Sequence, residues 1–223
     1  GDDFTHLGIG ETEEVTFDYV VENTDGATET ATISVTVTGG NDGPIATPDT
    51  AETTEDSAVT TGNVLINDSD PDQNDTLSVI GFDSSQTQGV VTNHDDGTFG
   101  YDPNGKFNYL DEGETAVDTF TYTASDGNGG TVTETVTVTI HGQDDGMLTQ
   151  ADSGAVAVGQ TLGVDVLAND SDPDTTDNPL TIADFEQPTR GQVTQNGDQL
   201  VFDPGDEFAE LGVGETATVT FNY

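Results

Sequence analysis

The 223 residues contain no cysteine, no tryptophan and only two basic side chains, Lys106 and Arg190. Without cysteine, a domain of modest core cannot be stapled by disulfides, so something else must hold it. Phosphate recognition needs lysine and arginine, so nucleic acid is excluded as a partner and anionic membrane surfaces are disfavoured. No apolar run approaches the length of a membrane-spanning helix, which excludes direct membrane insertion of that kind. No signal peptide is visible, and any export signal is expected to lie outside this stretch.

What the chain has in excess is acid. Forty-four Asp and Glu residues give a net charge of −42. Leu, Ile, Val and Phe supply only about a fifth of the residues, near the level at which highly charged chains stay disordered. Two carboxylates 4 Å apart repel by roughly 4 kcal/mol at an effective dielectric near 20. A few such clusters would offset the whole stability of a domain. Bound divalent cations would reverse that sign.

The sequence repeats itself. "GETEEVTFDY" (10–19), "GETAVDTFTY" (113–122) and "GETATVTFNY" (214–223) align at offsets of 103 and 101 residues. "NDSDPDQND" from Asn67 returns as "NDSDPDTTD" from Asn169. The phase of these copies predicts the end of one repeat over 1–44, a complete repeat over 45–146 and the beginning of another over 147–223.

Within the complete repeat the period is two. In "TVTETVTVTI", Val132, Val136, Val138 and Ile140 share a face while threonines line the other, and Phe120 and Tyr122 alternate with threonines in the same way. Turn signals separate about seven short strands, predicted near 47–52 with 57–61, then 63–67, 76–83, 89–94, 98–102, 117–124 and 131–141. The fold class read from this is all-β: tandem seven-strand Ig-like, cadherin-like antiparallel β-sandwiches. The partial repeat over 147–223 lacks a counterpart of 131–141. Residues 20–38 of a neighbouring chain could fill that place by strand addition, in head-to-tail assembly.

In a seven-strand sandwich the second, fourth and sixth connections share one pole with the linker that enters the domain. Here those segments are "NDSDPDQND", "NHDDG" (93–97), "SDGNGG" (125–130) and the linker "GGNDGP" (39–44), all acidic. Asp68, Asp70 and Asp72 recur as Asp170, Asp172 and Asp174, beside a second acidic linker "GQDDG" (142–146). Several converging loops of hard oxygen donors with glycine turns suit Ca²⁺ at six to eight coordination better than Mg²⁺, which keeps its waters. Asn67-Asp68-Ser69 and Asn74-Asp75-Thr76 also fit the N-glycosylation pattern, read as incidental in a metal loop.

The segments "TEDSAVTTGNVLINDSDPD", "LDEGETAVDTFTYTASDGNGGTVTETVTVTIHGQDDG" and their copies carry a family resemblance. The chain resembles the cadherin-like, VCBS-type tandem repeats of giant bacterial RTX adhesins, and more distantly cadherin itself. The resemblance implies Ca²⁺ between successive repeats. It implies ligands from the first strand (Glu55), from the "LDE" segment (Asp111, Glu112) and from the linkers (Asn41 and Asp42; Asp144 and Asp145). The downstream repeat would add Asp68 and Asp70, or Asp170 and Asp172, together with Asp126 of the "SDG" loop. Three departures stand out. "GQDDGM" replaces the family's linker ending, Asn23 stands where the later copy has Asp126, and "LGIGET" (7–12) lacks the acids of "LDEGET" (110–115).

Nothing in the sequence spells an active site. His6, His94 and His141 show no ligand spacing, and no nucleophile elbow, Ser-His-Asp order or phosphate loop is present. Tyr122 reads as a structural tyrosine at a strand corner. The expected function is that of calcium-rigidified extender repeats in a secreted, bacterial cell-surface adhesin supporting adhesion or biofilm formation. The expected partners are neighbouring repeats and other copies of the chain. Alternatives are a carbohydrate- or protein-binding adhesive module and an extracellular filament built by strand addition; the lack of tryptophan weighs against a sugar site.

Overall fold

The computed structural model describes residues 4–174 and 179–223, and among these there are twelve strands and no helix. The chain forms two compact units, Gly1–Phe107 with Glu114–Gly142, and Asn108–Gly113 with Gln143–Tyr223.

The first unit opens with an antiparallel hairpin of β1 (Thr12–Glu22) and β2 (Thr28–Thr38), in register with Val15 opposite Val35 and Phe17 opposite Ile33. The next seven strands form a sandwich of two sheets. One is ordered β3 (Asp49–Thr54), β9 (Thr131–His141), β8 (Thr115–Ser125), β5 (Ser78–Asp83). The other is ordered β4 (Val59–Thr60), β7 (Phe99–Asp102), β6 (Val90–Asn93). Of the residues read from the period of two, Phe120, Tyr122, Val136, Val138 and Ile140 are buried and Val132 is half-buried; Phe99, Tyr101 and Ala124 complete the core. Phe99 anchors it with edge-on contacts to Phe82 and Phe120, at centroid distances of 5.7 and 5.1 Å.

Two details of the predicted strand map are corrected. Residues 63–67 form a turn, not a strand. Asn63 Oδ1 accepts the Leu65 N–H (2.9 Å), and the Asn63 carbonyl accepts the Ile66 N–H, so this backbone is satisfied locally while Val64 alone points into the core. The 47–61 segment instead supplies two separate strands, β3 and β4, and the total stays at seven. The second correction is one of direction. β3 runs parallel to β9, while the other pairings in the repeat are antiparallel. Seven passes of alternating direction leave the first and last running the same way, so a first strand that closes on the last must pair with it in parallel.

One buried acid holds the two sheets in place. Asp118 faces the core from β8, and its Oδ2 accepts the Gln88 and Gly89 N–H groups (both 2.9 Å) and the Tyr101 hydroxyl (2.8 Å). The other two copies of this segment carry Val15 and Val219 at the same place, so the repeat gave no hint of it.

The face of the β1–β2 hairpin that corresponds to the core side of β8–β9 is open. Phe17 is 52% exposed and Tyr19 44%, where their counterparts Phe120 and Tyr122 are 2% and 0%. In the second unit, β10 (Leu162–Asp165), β12 (Gln199–Asp203) and β11 (Gln192–Asn196) form one antiparallel sheet over Val166, Val193 and Leu200. Replacing Asp118 with Ala should cost about 2–4 kcal/mol, since it strands the buried Tyr101 hydroxyl and two part-buried backbone donors at once. Urea unfolding of the variant at fixed calcium measures this; an unchanged midpoint would show that Asp118 is not holding the sheets.

Candidate metal centre

The odd number of passes brings the 63–75 loop, the 94–98 turn and the 126–130 loop to the pole where the 39–44 linker enters. The links between them are explicit. Ile45 and Ser69 exchange backbone hydrogen bonds (2.8 and 2.9 Å), the Val64 N–H reaches the Gly97 carbonyl (3.0 Å), and Asn128 Nδ2 donates to Asp75 Oδ1 (2.8 Å).

Within this pole Asp70, Asp72 and Asp75 each hold a carboxylate oxygen within 4.8 Å of the others. The local sequence forces the approach. Asp70 Oδ1 accepts the Asp72 N–H across Pro71 (2.9 Å), an Asx turn, and the Asp75 N–H bonds the Asp72 carbonyl (3.2 Å). The linker closes the cluster from above: the Asp42 N–H donates to Asp72 Oδ2 (3.0 Å), and Asn41 Nδ2 donates to Asp126 Oδ2 (2.9 Å). Asp126 is already well supplied, because its Oδ1 accepts the N–H groups of Asn128, Gly129 and Gly130 at 2.7–3.0 Å. Its carboxyl is held below the usual range by the Asn41 amide first and by those backbone donors next.

The remaining oxygens tell a different story. Asn41 Oδ1, Asp70 Oδ2, Asp72 Oδ1 and Asp75 Oδ2 are buried and accept no hydrogen bond. Asp72 as a whole is only 2% exposed. Burial raises the Asp70 carboxyl above its ordinary range, and the charges of Asp75, Asp72 and Asp126 add to that against the pull of the Asp72 N–H. At this spacing each ionised pair repels by about 3 kcal/mol. Four acceptor oxygens with no donor, three of them anionic and none soft, fit a hard divalent cation of the calcium type.

Expected residues divide by their placement. Asn41, Asp42, Asp70, Asp72 and Asp126 meet at this pole. Asp68 does not join the cluster, because its Oδ1 accepts the Thr47 N–H (2.9 Å) and its Oδ2 the Tyr122 hydroxyl (2.8 Å). Glu55 lies at the far end of β3, 1% exposed, its N–H on the His141 carbonyl (3.1 Å). Asp111, Glu112, Asp144, Asp145, Asp170, Asp172 and Asp174 belong to the second unit. There the pattern recurs: the Asp145 N–H donates to Asp174 Oδ2 (2.9 Å), and the Asp174 N–H to Asp172 Oδ1 (3.1 Å). Asp170 repeats Asp68 by accepting the Gln150 N–H (2.7 Å), while Glu112 and Asp144 are exposed. Each histidine is engaged with a neighbour: His6 with Glu13, His141 with Glu52 and His94 with Thr98.

Sequence reasoning missed two residues. Asp75 had been set aside within a glycosylation pattern, although it was the fourth aspartate of the quoted loop. Glu11 was not considered; its carboxylate accepts the Gly8 N–H (3.0 Å) and the Asn74 amide, tying the segment before β1 to the acidic loop.

Residues 41–142 match the family of bacterial cadherin-like domains, and residues 144–223 match the family of bacterial Ig domains. No curated protein matches. Among solved structures, the protocadherin gamma B2 cadherin domains 1–5 are similar at a TM-score of 0.50 and 16% identity, over 93% of this chain and 41% of that one. The protocadherin gammaB4 extracellular domain gives 0.44 and 19%, over 91% and 32%. Mouse protocadherin-24 EC1-3 gives 0.42 and 17%, over 91% and 68%. The chain thus spans less than half the length of the two gamma protocadherins. At 16% identity the likeness to the gamma B2 domains shows the fold alone, a cadherin-like, Ig-type β-sandwich.

A half-buried acid near this pole makes a pH prediction. Asp49 has its Oδ2 buried without a donor, and its carboxyl is pushed up to about 6 by burial first and the Asp68 charge next. A raised carboxyl pKa favours folding below the unfolded value, and that contribution is lost as pH rises from about 4 through about 6. Asp49→Asn removes the penalty. In chelator it should gain on the wild type across that window and stay ahead by about 1 kcal/mol at pH 7, after discounting for partial exposure. Melting curves from pH 4 to 8 read this, and a constant difference between the two proteins would contradict it.

Proposed function

We propose that this chain is a calcium-stiffened extender from a bacterial surface adhesin, of the RTX, VCBS-repeat kind. Cadherin-like and Ig-like sandwiches are non-catalytic kinds of fold and belong to extracellular adhesion-type repeat modules. The observation that carries the reading is the set of buried, donor-less oxygens on Asn41, Asp70, Asp72 and Asp75. They lie where a linker enters a repeat, so a cation held there bonds the linker and the repeat body at once.

Calcium then acts in two ways. It cancels the repulsion among the three aspartates, which stabilises the repeat. It also replaces a glycine-containing, hinge-like linker by a coordinated one, which stiffens the joint. Asn41 and Asp42 bring the linker to the site, Asp70, Asp72 and Asp75 supply charge, and Asp126 orients Asn41. Asp145, Asp172 and Asp174, with Asp111, would form the equivalent centre in the second unit. In this reading the repeats hold an adhesive region away from the cell. The large negative charge keeps neighbouring poles apart until calcium is present, as it is outside cells.

Affinity in the range of extracellular modules, roughly 10⁻⁴ to 10⁻³ M, is expected. A ligand confined to the folded state adds about 2.7 kcal/mol at a hundredfold excess over its dissociation constant. Calcium should therefore raise the melting temperature well above that in chelator, and small-angle scattering should show a narrower distribution of lengths. Equal melting in chelator and in saturating calcium would defeat the proposal.

A further inference from the structure

The two acidic centres are copies, and their differences are informative. "LGIGET" (7–12) and "LDEGET" (110–115) place Gly8 opposite Asp111, and the linkers place Asn41 opposite Asp144. With Ile9 opposite Glu112 as well, the first centre has lost charge at three aligned positions. Gly8 is the one whose setting explains itself least as a backbone requirement. Its φ is outside the left-handed region, and the three atoms nearest a Cβ built on it all belong to Asp72, at 3.5 Å from Cβ and 3.8 Å from Oδ2. Both are ordinary van der Waals distances, so a side chain fits.

The fold keeps the position next to the cluster even without a side chain. Gly8 is buried, and its N–H is fixed by Glu11, which also holds Asn74 of the acidic loop. Asp72, against which Gly8 packs, is 2% exposed and carries an Oδ1 with no hydrogen-bond donor. An aspartate at position 8 would therefore bring a carboxylate beside an acceptor that already lacks a positive partner. The cluster has room for one more ligand, and the chain leaves it out.

We infer that Gly8 sets the calcium affinity of the first centre: by withholding a carboxylate where the aligned position of the second carries Asp111, it makes the first the weaker of the two and the first to empty as calcium falls. This rests on the calcium reading of the acidic centres. Ligand charge count is one of the quantities that tune calcium sites over decades of affinity. A graded pair gives a chain whose first joint loosens at calcium levels that leave the second centre filled.

Calorimetric titration of the full chain with calcium tests this, alongside melting in chelator. The wild type should show two classes of site. Gly8→Asp should tighten the weaker class by about tenfold and lower the melting temperature in chelator, since it adds a like charge. Gly8→Ala, which adds the Cβ alone, should do neither. Asp111→Gly should move the tighter class toward the weaker. Calcium binding with a weaker class unmoved by Gly8→Asp would overturn the inference and leave the calcium reading standing; no calcium binding by any of the four proteins would overturn both.

Discussion

Three carboxylates held within 4.8 Å of one another, with buried oxygens that meet no donor, are the constraint on which this molecule turns. Among the described residues, neither of the chain's two basic side chains is paired with them. Arg190 is engaged elsewhere, with Glu210 at 2.6 Å and the Phe208 ring at 4.1 Å. Protonation is one way to relieve such a cluster, and the raised Asp70 carboxyl shows its pull. A hard cation is the other, and it relieves all of the oxygens at once while adding bonds between segments.

The sandwich exists, in this account, to bring those segments together. Odd passes put three acidic connections and the incoming linker at one pole. Tyr122 then sorts the aspartates of the loop. Its hydroxyl, buried in the core side of β8, takes Asp68 as its acceptor at 2.8 Å with the Val64 carbonyl at 3.3 Å, and so withdraws Asp68 from the cluster. In the second unit Tyr223 donates instead to Asp152, outside the acidic loop, at 2.8 Å, beside the Val166 carbonyl at 3.2 Å. In the first unit a structural tyrosine thus separates a fold-holding acid, Asp68, from the acids left open.

Much of this was legible in the sequence, for identifiable reasons. Strand faces follow from alternation alone, so the buried set Phe120, Tyr122, Val136, Val138 and Ile140 could be read directly. Loop convergence follows from counting strands, which places Asn41, Asp42, Asp70, Asp72 and Asp126 at one pole without coordinates. What stayed hidden depends on pairs far apart in the chain. Asp68 and Asp70 look identical in spacing, and it takes Thr47 and Tyr122, 21 and 54 residues from Asp68, to distinguish them. Asp118 sits in a strand whose copies carry valine, and its donors come from a turn and from β7. The apolar run 63–67 reads as a strand because local hydrogen bonds to Asn63 are invisible to hydropathy. Parallel pairing of β3 with β9 is a property of the whole path, and no local pattern encodes it.

The most direct test is anomalous diffraction from crystals grown in calcium. The account predicts an anomalous peak among Asp70, Asp72 and Asp75, with their free oxygens and Asn41 Oδ1 at about 2.3–2.6 Å. Well-ordered density at that pole with no anomalous peak, and with the three carboxylates hydrogen-bonded to one another or to water, would contradict it.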